Sequence, residues 1–305
     1  MNVLRVIFVH GIARNVIKGD YSLKTSTLLL RKLVEYGVVP EGATPEEVAQ
    51  IVTFEQVNYS MIGNDAEQRL LKAYEQESEK LYSLVHRLNR IAGLDQVRRT
   101  MITAVTDVLV YMTASWRTEI QQLMAEKIER YAGSGDAVTI IAHSLGSVVA
   151  FETIYEQVRN NPKWTAAKFK PTNLFTMGSP IALLTLDMDR RIGSHHPAPG
   201  SPVIPHAEPA QDEGVWYNFL DAQDLIAYPL EVLFRDRFKL QDIVVQTGAN
   251  PGKAHTGYWT NNEVLEFIAG RLKLDFQRIN IGRVIGSDLM LDSSLQLDEE
   301  SALGF

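Results

Sequence analysis

Apolar residues fall along this chain in two kinds of run, short unbroken ones and longer ones spaced by three and four. The first short run, Val3–Val9 (VLRVIFV), predicts a buried strand ending at His10-Gly11. From Ser22 to Tyr36, Leu23, Leu30, Leu33 and Val34 recur at helical spacing, and Gly37 stops the helix. Ile51–Val57 predicts the next strand. A long helical pattern then runs from about Asp65 to Tyr131, broken at Gly93. Its first part carries Leu70, Tyr74, Leu81, Leu84, Leu88 and Ile91; its second places Met101, Val105, Val108, Met112, Trp116, Ile120 and Leu123 along one face.

Gly133-Ser134-Gly135 turns the chain into a strand at Ala137–Ala142, and a helix follows from Leu145 to about Arg159. Another strand, Asn173–Met177, ends at Gly178-Ser179-Pro180. Ser194 to Asp212 holds five Pro and reads as an irregular excursion. Strands at Trp216–Leu220 and Ile243–Gln246 and a helix from Asn262 to Leu272 complete the set. Beyond Lys273 the pattern weakens, and the acidic end LDSSLQLDEESALGF reads as a loose tail.

Apolar strands alternating with helices predict an α/β domain with a mainly parallel sheet covered by helices on both faces. The helical stretch is too long for one crossover, so part of it is expected to stand apart as an insertion. It reads either as a scaffold hairpin or as a lid that shapes access to a site or touches a membrane surface. The expectation is one domain over residues 1–272, a helical insertion at about 60–132, and a tail over 273–305.

Composition narrows the function classes. With 45% hydrophobic residues among 305, wholesale disorder is excluded. A net charge of −7 argues against a broad nucleic-acid surface. The absence of Cys excludes a disulfide framework, thiolate zinc sites and a Cys nucleophile. It fits a reducing compartment, and a cytoplasmic location is the expectation. The apolar start runs straight into His10-Gly11, which is not the pattern of a cleaved signal. No run of about 18 uncharged apolar residues offers a transmembrane helix; the nearest, Thr100 to Trp116, carries Asp107.

The most informative stretch is TIIAHSLGSVVAFE, where an apolar strand enters Ala142-His143-Ser144-Leu145-Gly146 and an apolar helix leaves it. A serine hydroxyl is a poor nucleophile unless a sharp turn presents it to a base. Small residues two before and two after permit such a turn, because strand and helix backbones pass close there. Gly146 meets the second requirement, and Ala142 stands where Gly is commoner. The bland alternative is that Ser144 only caps the helix.

In these residues the chain resembles the serine esterases and lipases of the α/β-hydrolase superfamily. FVHGIARN looks like their oxyanion loop and AHSLGS like their nucleophile elbow; VWYNFLDAQDLIAYPL and KAHTGYW resemble the acid and histidine segments. The resemblance implies an α/β-hydrolase fold and ester hydrolysis, with Ser, acid and His in that chain order. His255, in the turn-rich stretch Asn250 to Gly257, is then the expected base, with Tyr258 and Trp259 packing its loop in place. Asp224 is preferred as the acid over Asp221, the other residue fixing the turn. Backbone N–H groups of Ile12 and Leu145 are the expected oxyanion donors. His10, Gly11 and His143 are expected to line the substrate site.

No metal or organic cofactor is called for. His195, His196 and His206, with Asp189, Glu208 and Asp212, match no tight zinc spacing. Ser179 fails as a nucleophile because Pro180 follows it. The substrate is expected to be a small-molecule or lipid ester, with contact to a membrane surface conceivable and the oligomeric state open. An acyltransferase would use the same residues, and a non-catalytic partner-binding module would need none of them.

Overall fold

Leu4–Val9 forms the first strand, β1, and its side chains divide by parity: Ile7 and Val9 enter one core, Leu4, Val6 and Phe8 the other. The same division holds in β3 (Ala137–His143), where Val138, Ile140 and Ala142 oppose Ala137 and Ile141. A strand buried on both faces belongs inside a sheet with a layer of helices on each side. The computed structural model describes residues 1–11, 22–62, 72, 108–166, 171–183, 215–234 and 239–296. Within them β1, β2 (Val52–Val57), β3, β4 (Asn173–Met177), β5 (Val215–Leu220) and β6 (Leu240–Val244) form one sheet in the order β2-β1-β3-β4-β5-β6. Every adjacent pair is parallel.

Helices α1 (Leu23–Glu35) and α2 (Pro45–Ala49) lie between β1 and β2, and α3 (Ala114–Glu129) precedes β3. Next come α4 (Leu145–Asn160) and α5 (Pro162–Ala166), then α6 (Glu231–Phe234) after β5. After β6 the chain forms α7 (Pro251–Gly257), a 3-10 turn at Tyr258–Thr260, and α8 (Asn262–Gln296). One core packs α3 and α4 on the sheet through Ile120, Met124, Val148, Val149 and Phe151. The other packs α1 and α8 through Leu29, Leu33, Leu265 and Leu272. The α/β class and the covered parallel sheet thus stand as expected.

Several elements differ from the expectation, among them the short helices α5 and α6, which it did not include. Thr44-Pro45-Glu46-Glu47 starts the unforeseen α2 with a reciprocal capping box, Thr44 accepting from the Glu47 N–H and Glu47 from the Thr44 N–H. The stretch around His255 is helical, since Asn250 caps α7 by accepting from the Lys253 N–H and Pro251 occupies its first turn. The tail expected from Lys273 continues α8 as far as Gln296. Asp275 is buried there by hydrogen bonds from Asn173 (2.6 Å) and Arg278 (3.1 Å), while Phe276 and Ile279 pack on the α1 side. Residues 297–305 lie outside the described part.

Of the predicted insertion, residues 63–71 and 73–107 lie outside the described residues, as does the Pro-rich segment 184–214. Among the described residues no helix is long and apolar enough to cross a membrane.

The strand order places the site. From β1 the chain goes outward to β2, then returns to β3 on the other side of β1. Loops leaving β1 and β3 therefore diverge, and in parallel sheets such a reversal opens a crevice at the carboxyl ends of the strands. His10-Gly11 and Ser144 occupy those two ends.

Candidate active site

Ser144 stands between β3 and α4 at φ 53° and ψ −129°, the one non-glycine at positive φ among the described residues. Such a backbone is held only where its surroundings over-determine it. They do so here: the Ser144 N–H donates to the Met177 carbonyl (2.9 Å), and Ser147 Oγ donates to the Ser144 carbonyl (2.6 Å). Gly146 brings α4 against β1 so closely that a Cβ would overlap the carbonyls of Val9 and His10. A Cβ on Gly11 would stand 2.5 Å from that of Ser144. Leu145 opens α4, so its N–H has no acceptor within the helix. Ile12, its expected partner, lies outside the described residues.

His255 comes from α7 and Asp224 from the chain that follows β5. His255 Nε2 is 3.0 Å from Ser144 Oγ, and its Nδ1 is 2.9 and 3.0 Å from the two oxygens of Asp224. The Asp224 side chain is fully buried while the imidazole remains 18% exposed, so the ring alone faces outward. Burial pushes the Asp224 carboxyl upward, but hydrogen bonds from His255, the Ile226 N–H and Tyr258 outweigh it and hold it below its ordinary value. An ionised Asp224 orients the ring with Nδ1 protonated, leaving Nε2 to accept the serine proton.

Asp221, the rival acid, is turned elsewhere. Its Oδ1 accepts from the Gln223 N–H (2.8 Å), and its Oδ2 from the Thr247 N–H (2.6 Å), the Thr247 hydroxyl (2.9 Å) and the Gly248 N–H (3.3 Å). It thereby clamps the end of β5 to the chain leaving β6. Burial raises its carboxyl, and these donors outweigh that and lower it. A carboxyl depressed in the folded state adds stability above the ordinary carboxylate range, and loses it as pH falls through that range. Asp221→Asn is therefore expected to cost about 1–3 kcal/mol at neutral pH. Urea unfolding checks this: the gap to wild type is full at neutral pH and closes in acid.

His10 and His143, expected to meet substrate, are buried and bonded to the protein's own carbonyls. His10 Nδ1 donates to the Gly11 carbonyl (2.7 Å), and its ring stacks on Tyr59 at 4.1 Å. His143 Nε2 donates to the His255 carbonyl (2.6 Å), with its ring 4.8 Å from that of His255. Burial and the neighbouring His255 push His143 down to about 3, so its ring is neutral at ordinary pH. Through these contacts the two rings brace the chain around Ser144 and His255. Gly11 lies directly beside Ser144.

Gly178 had no assigned role in the sequence reading, and Tyr258 was expected only to pack the His255 loop in place. Gly178, at φ 58° after β4, leaves the space behind the pair: a Cβ there would lie 2.9 Å from Asp224 Oδ2 and 3.1 Å from His255 Nδ1. Tyr258 donates to Asp224 Oδ2 at 3.0 Å. Ser179 is buried, its hydroxyl 2.8 Å from that of Ser147. Among the described residues no cluster of three or more His, Asp and Glu could hold a metal. The candidate ligands His195, His196 and His206 lie outside them.

Serine, imidazole and buried carboxylate in hydrogen-bonded series form an arrangement able to raise the nucleophilicity of a hydroxyl. No family model matches the chain. It is 24% identical over 155 residues to a "Probable phospholipase, mitochondrial" of Schizosaccharomyces pombe, a match covering 45% of this chain. That match spans only 20% of the relative's length. Among solved structures the chain is similar to the RedJ thioesterase of the prodiginine biosynthetic pathway in Streptomyces coelicolor. The likeness has a TM-score of 0.38 at 14% identity and covers 90% of this chain and 88% of that one.

Proposed function

We propose that the chain is a serine hydrolase of carboxylic esters, on an α/β-hydrolase fold, working through an acyl-enzyme on Ser144. The observation that carries this reading is the series Ser144–His255–Asp224, joined at 3.0 and 2.9 Å from the β3–α4 turn, helix α7 and the chain after β5 at one end of a parallel sheet. A merely structural serine at a helix start needs neither positive φ nor an imidazole at hydrogen-bond distance.

In this mechanism Ser144 Oγ attacks the ester carbonyl carbon as its proton passes to His255 Nε2. Asp224 holds the ring and stabilises its positive charge. The N–H groups of Leu145 and Ile12 receive the oxyanion, a role assigned to Ile12 by its place after Gly11. Collapse breaks the bond to the leaving alkoxide, which takes the proton from His255 and departs as alcohol. Water then gives its proton to His255 and attacks the acyl-enzyme, releasing the carboxylic acid and restoring Ser144.

Lipid esters are the favoured substrate class, supported by the apolar pattern of residues 65–131 and by the name of the Schizosaccharomyces pombe relative. Contact with a membrane surface belongs to the same reading. Labelling by a fluorophosphonate tests the reaction class, because the reagent phosphonylates only an activated serine. The folded wild-type chain is expected to label; a folded chain that resists labelling refutes the proposal.

A further inference from the structure

We infer that Tyr258 is a positioning residue that tunes the Asp224–His255 pair through one directed hydrogen bond, an inference resting on the hydrolase reading of that site. Tyr258 is fully buried, three residues beyond His255 at the start of the 3-10 turn. Its hydroxyl oxygen lies 2.8 Å from the Asp221 nitrogen and 3.0 Å from Asp224 Oδ2. A backbone N–H can only donate, so at Asp221 the phenol must accept. The phenol has one proton, and it is left for Asp224. The direction of the bond is thus dictated by the main chain of Asp221. Burial and the adjacent Asp224 push the Tyr258 phenol well up, so the proton stays on it at any working pH.

The donor acts on the oxygen that also faces His255 Nδ1 (2.9 Å). It draws charge from the carboxylate and thereby moderates how strongly Asp224 favours the imidazolium. Among the described residues, other groups bearing on the pair come from every surrounding loop. Ser144 and the neutral His143 face it from the β3–α4 turn. Gly178, after β4, contributes no side chain. The Ile226 N–H donates to Asp224 Oδ1 (3.0 Å), and Asp221, on the far side of the phenol, is ionised and bonded to Thr247 and Gly248. Trp259 packs on His143 at 5.4 Å.

Two variants separate tuning from packing. Tyr258→Phe keeps the ring and removes the hydroxyl, the donor to Asp224 and the acceptor of the Asp221 N–H, so charge concentrates on the His255 side of Asp224 and the imidazolium is favoured. Its titration is expected to move to higher pH by roughly half a unit or more, with the Ser144 labelling rate at neutral pH falling about tenfold. Site-specific 3-fluorotyrosine at position 258 keeps both hydrogen bonds with a more acidic phenol, and is expected to move the titration the opposite way.

The experiment is a proton NMR titration of the His255 ring in the full chain, in wild type and both variants, beside the pH profile of fluorophosphonate labelling. Opposite shifts in the two variants establish the inference. Coincident titrations, or shifts of one sign, overturn it. Should Tyr258→Phe fail to fold, the fluorotyrosine form decides alone: a downward shift supports the inference and no shift overturns it. The titration reads the ring whether or not an ester is cleaved. A wild type that does not label therefore refutes the hydrolase reading without deciding the bond.

Discussion

Ser144→Ala is expected to abolish fluorophosphonate labelling and to lower kcat on an activated ester such as a p-nitrophenyl butyrate by about a millionfold. In the proposed mechanism the Ser144 oxygen becomes acylated, and it is this hydroxyl that lies 3.0 Å from His255 Nε2. Ser179, the nearest alternative in sequence terms, is fully buried and engaged with Ser147. Because serine and imidazole act as one unit, adding His255→Ala to Ser144→Ala is expected to cost almost nothing more. Asp224→Asn leaves the ring in the wrong tautomer and is expected to lower kcat by about ten-thousandfold. Asp221→Asn, whose contacts point toward Thr247 and Gly248, should instead keep kcat within a few-fold of wild type in conditions where it stays folded. Steady-state kinetics on the four variants, with circular dichroism to verify folding, check this ordering. Equal losses in the two aspartate variants would contradict the assignment of Asp224.

Gly146→Val is expected to be the most damaging substitution outside the reacting groups. The space that a side chain would need is filled by the carbonyls of Val9 and His10, with the Cβ itself 2.6 Å from the Val9 oxygen. Those atoms are main chain at the end of β1, whose last residue, Val9, is paired on both sides, so they cannot rotate aside as a flexible side chain would. Helix α4 must shift, and with it Ser144 and the Leu145 N–H. Overpacking of this kind costs roughly 3 kcal/mol or more, and a displacement near 1 Å at the nucleophile costs about a hundredfold in rate. A fall in urea midpoint, together with a loss of kcat in the fraction that remains folded, is the expected outcome. A variant that kept both wild-type stability and rate would show that the elbow has slack the structure does not contain.

What could be read from the chain follows burial. β4 spans Asn173–Met177, residue for residue as the apolar run predicts, because it is buried from end to end between two strands. β6 begins at Leu240, three residues before the predicted start, because an edge strand exposes Gln241 and so lacks an unbroken apolar signature. The extension of α8 was hidden by Asp275, a polar residue whose burial is made tolerable by Asn173 and Arg278, about which local periodicity says nothing. Asn250-Pro251-Gly252 carries turn and helix-start signals at once, and Asn250 resolves them by capping α7. Ser144 and His255 were legible as candidates because the proposed chemistry needs particular residue types in a particular order. Two aspartates three positions apart both satisfy that order, and only the hydrogen bonds distinguish them. Tyr258 gave no local signal for its contact with Asp224, which joins residues 34 apart in the chain.

The backbone at Ser144 has a consequence for the stability of the chain. Held at φ 53°, position 144 is where a glycine would sit with less strain than any other residue. Replacement by glycine relieves a local cost of about 1–3 kcal/mol and removes the reacting oxygen in the same step. Foldability and chemistry therefore pull in opposite directions at one residue. A Ser144→Gly chain is therefore expected to unfold at higher urea than wild type while no longer labelling with a fluorophosphonate.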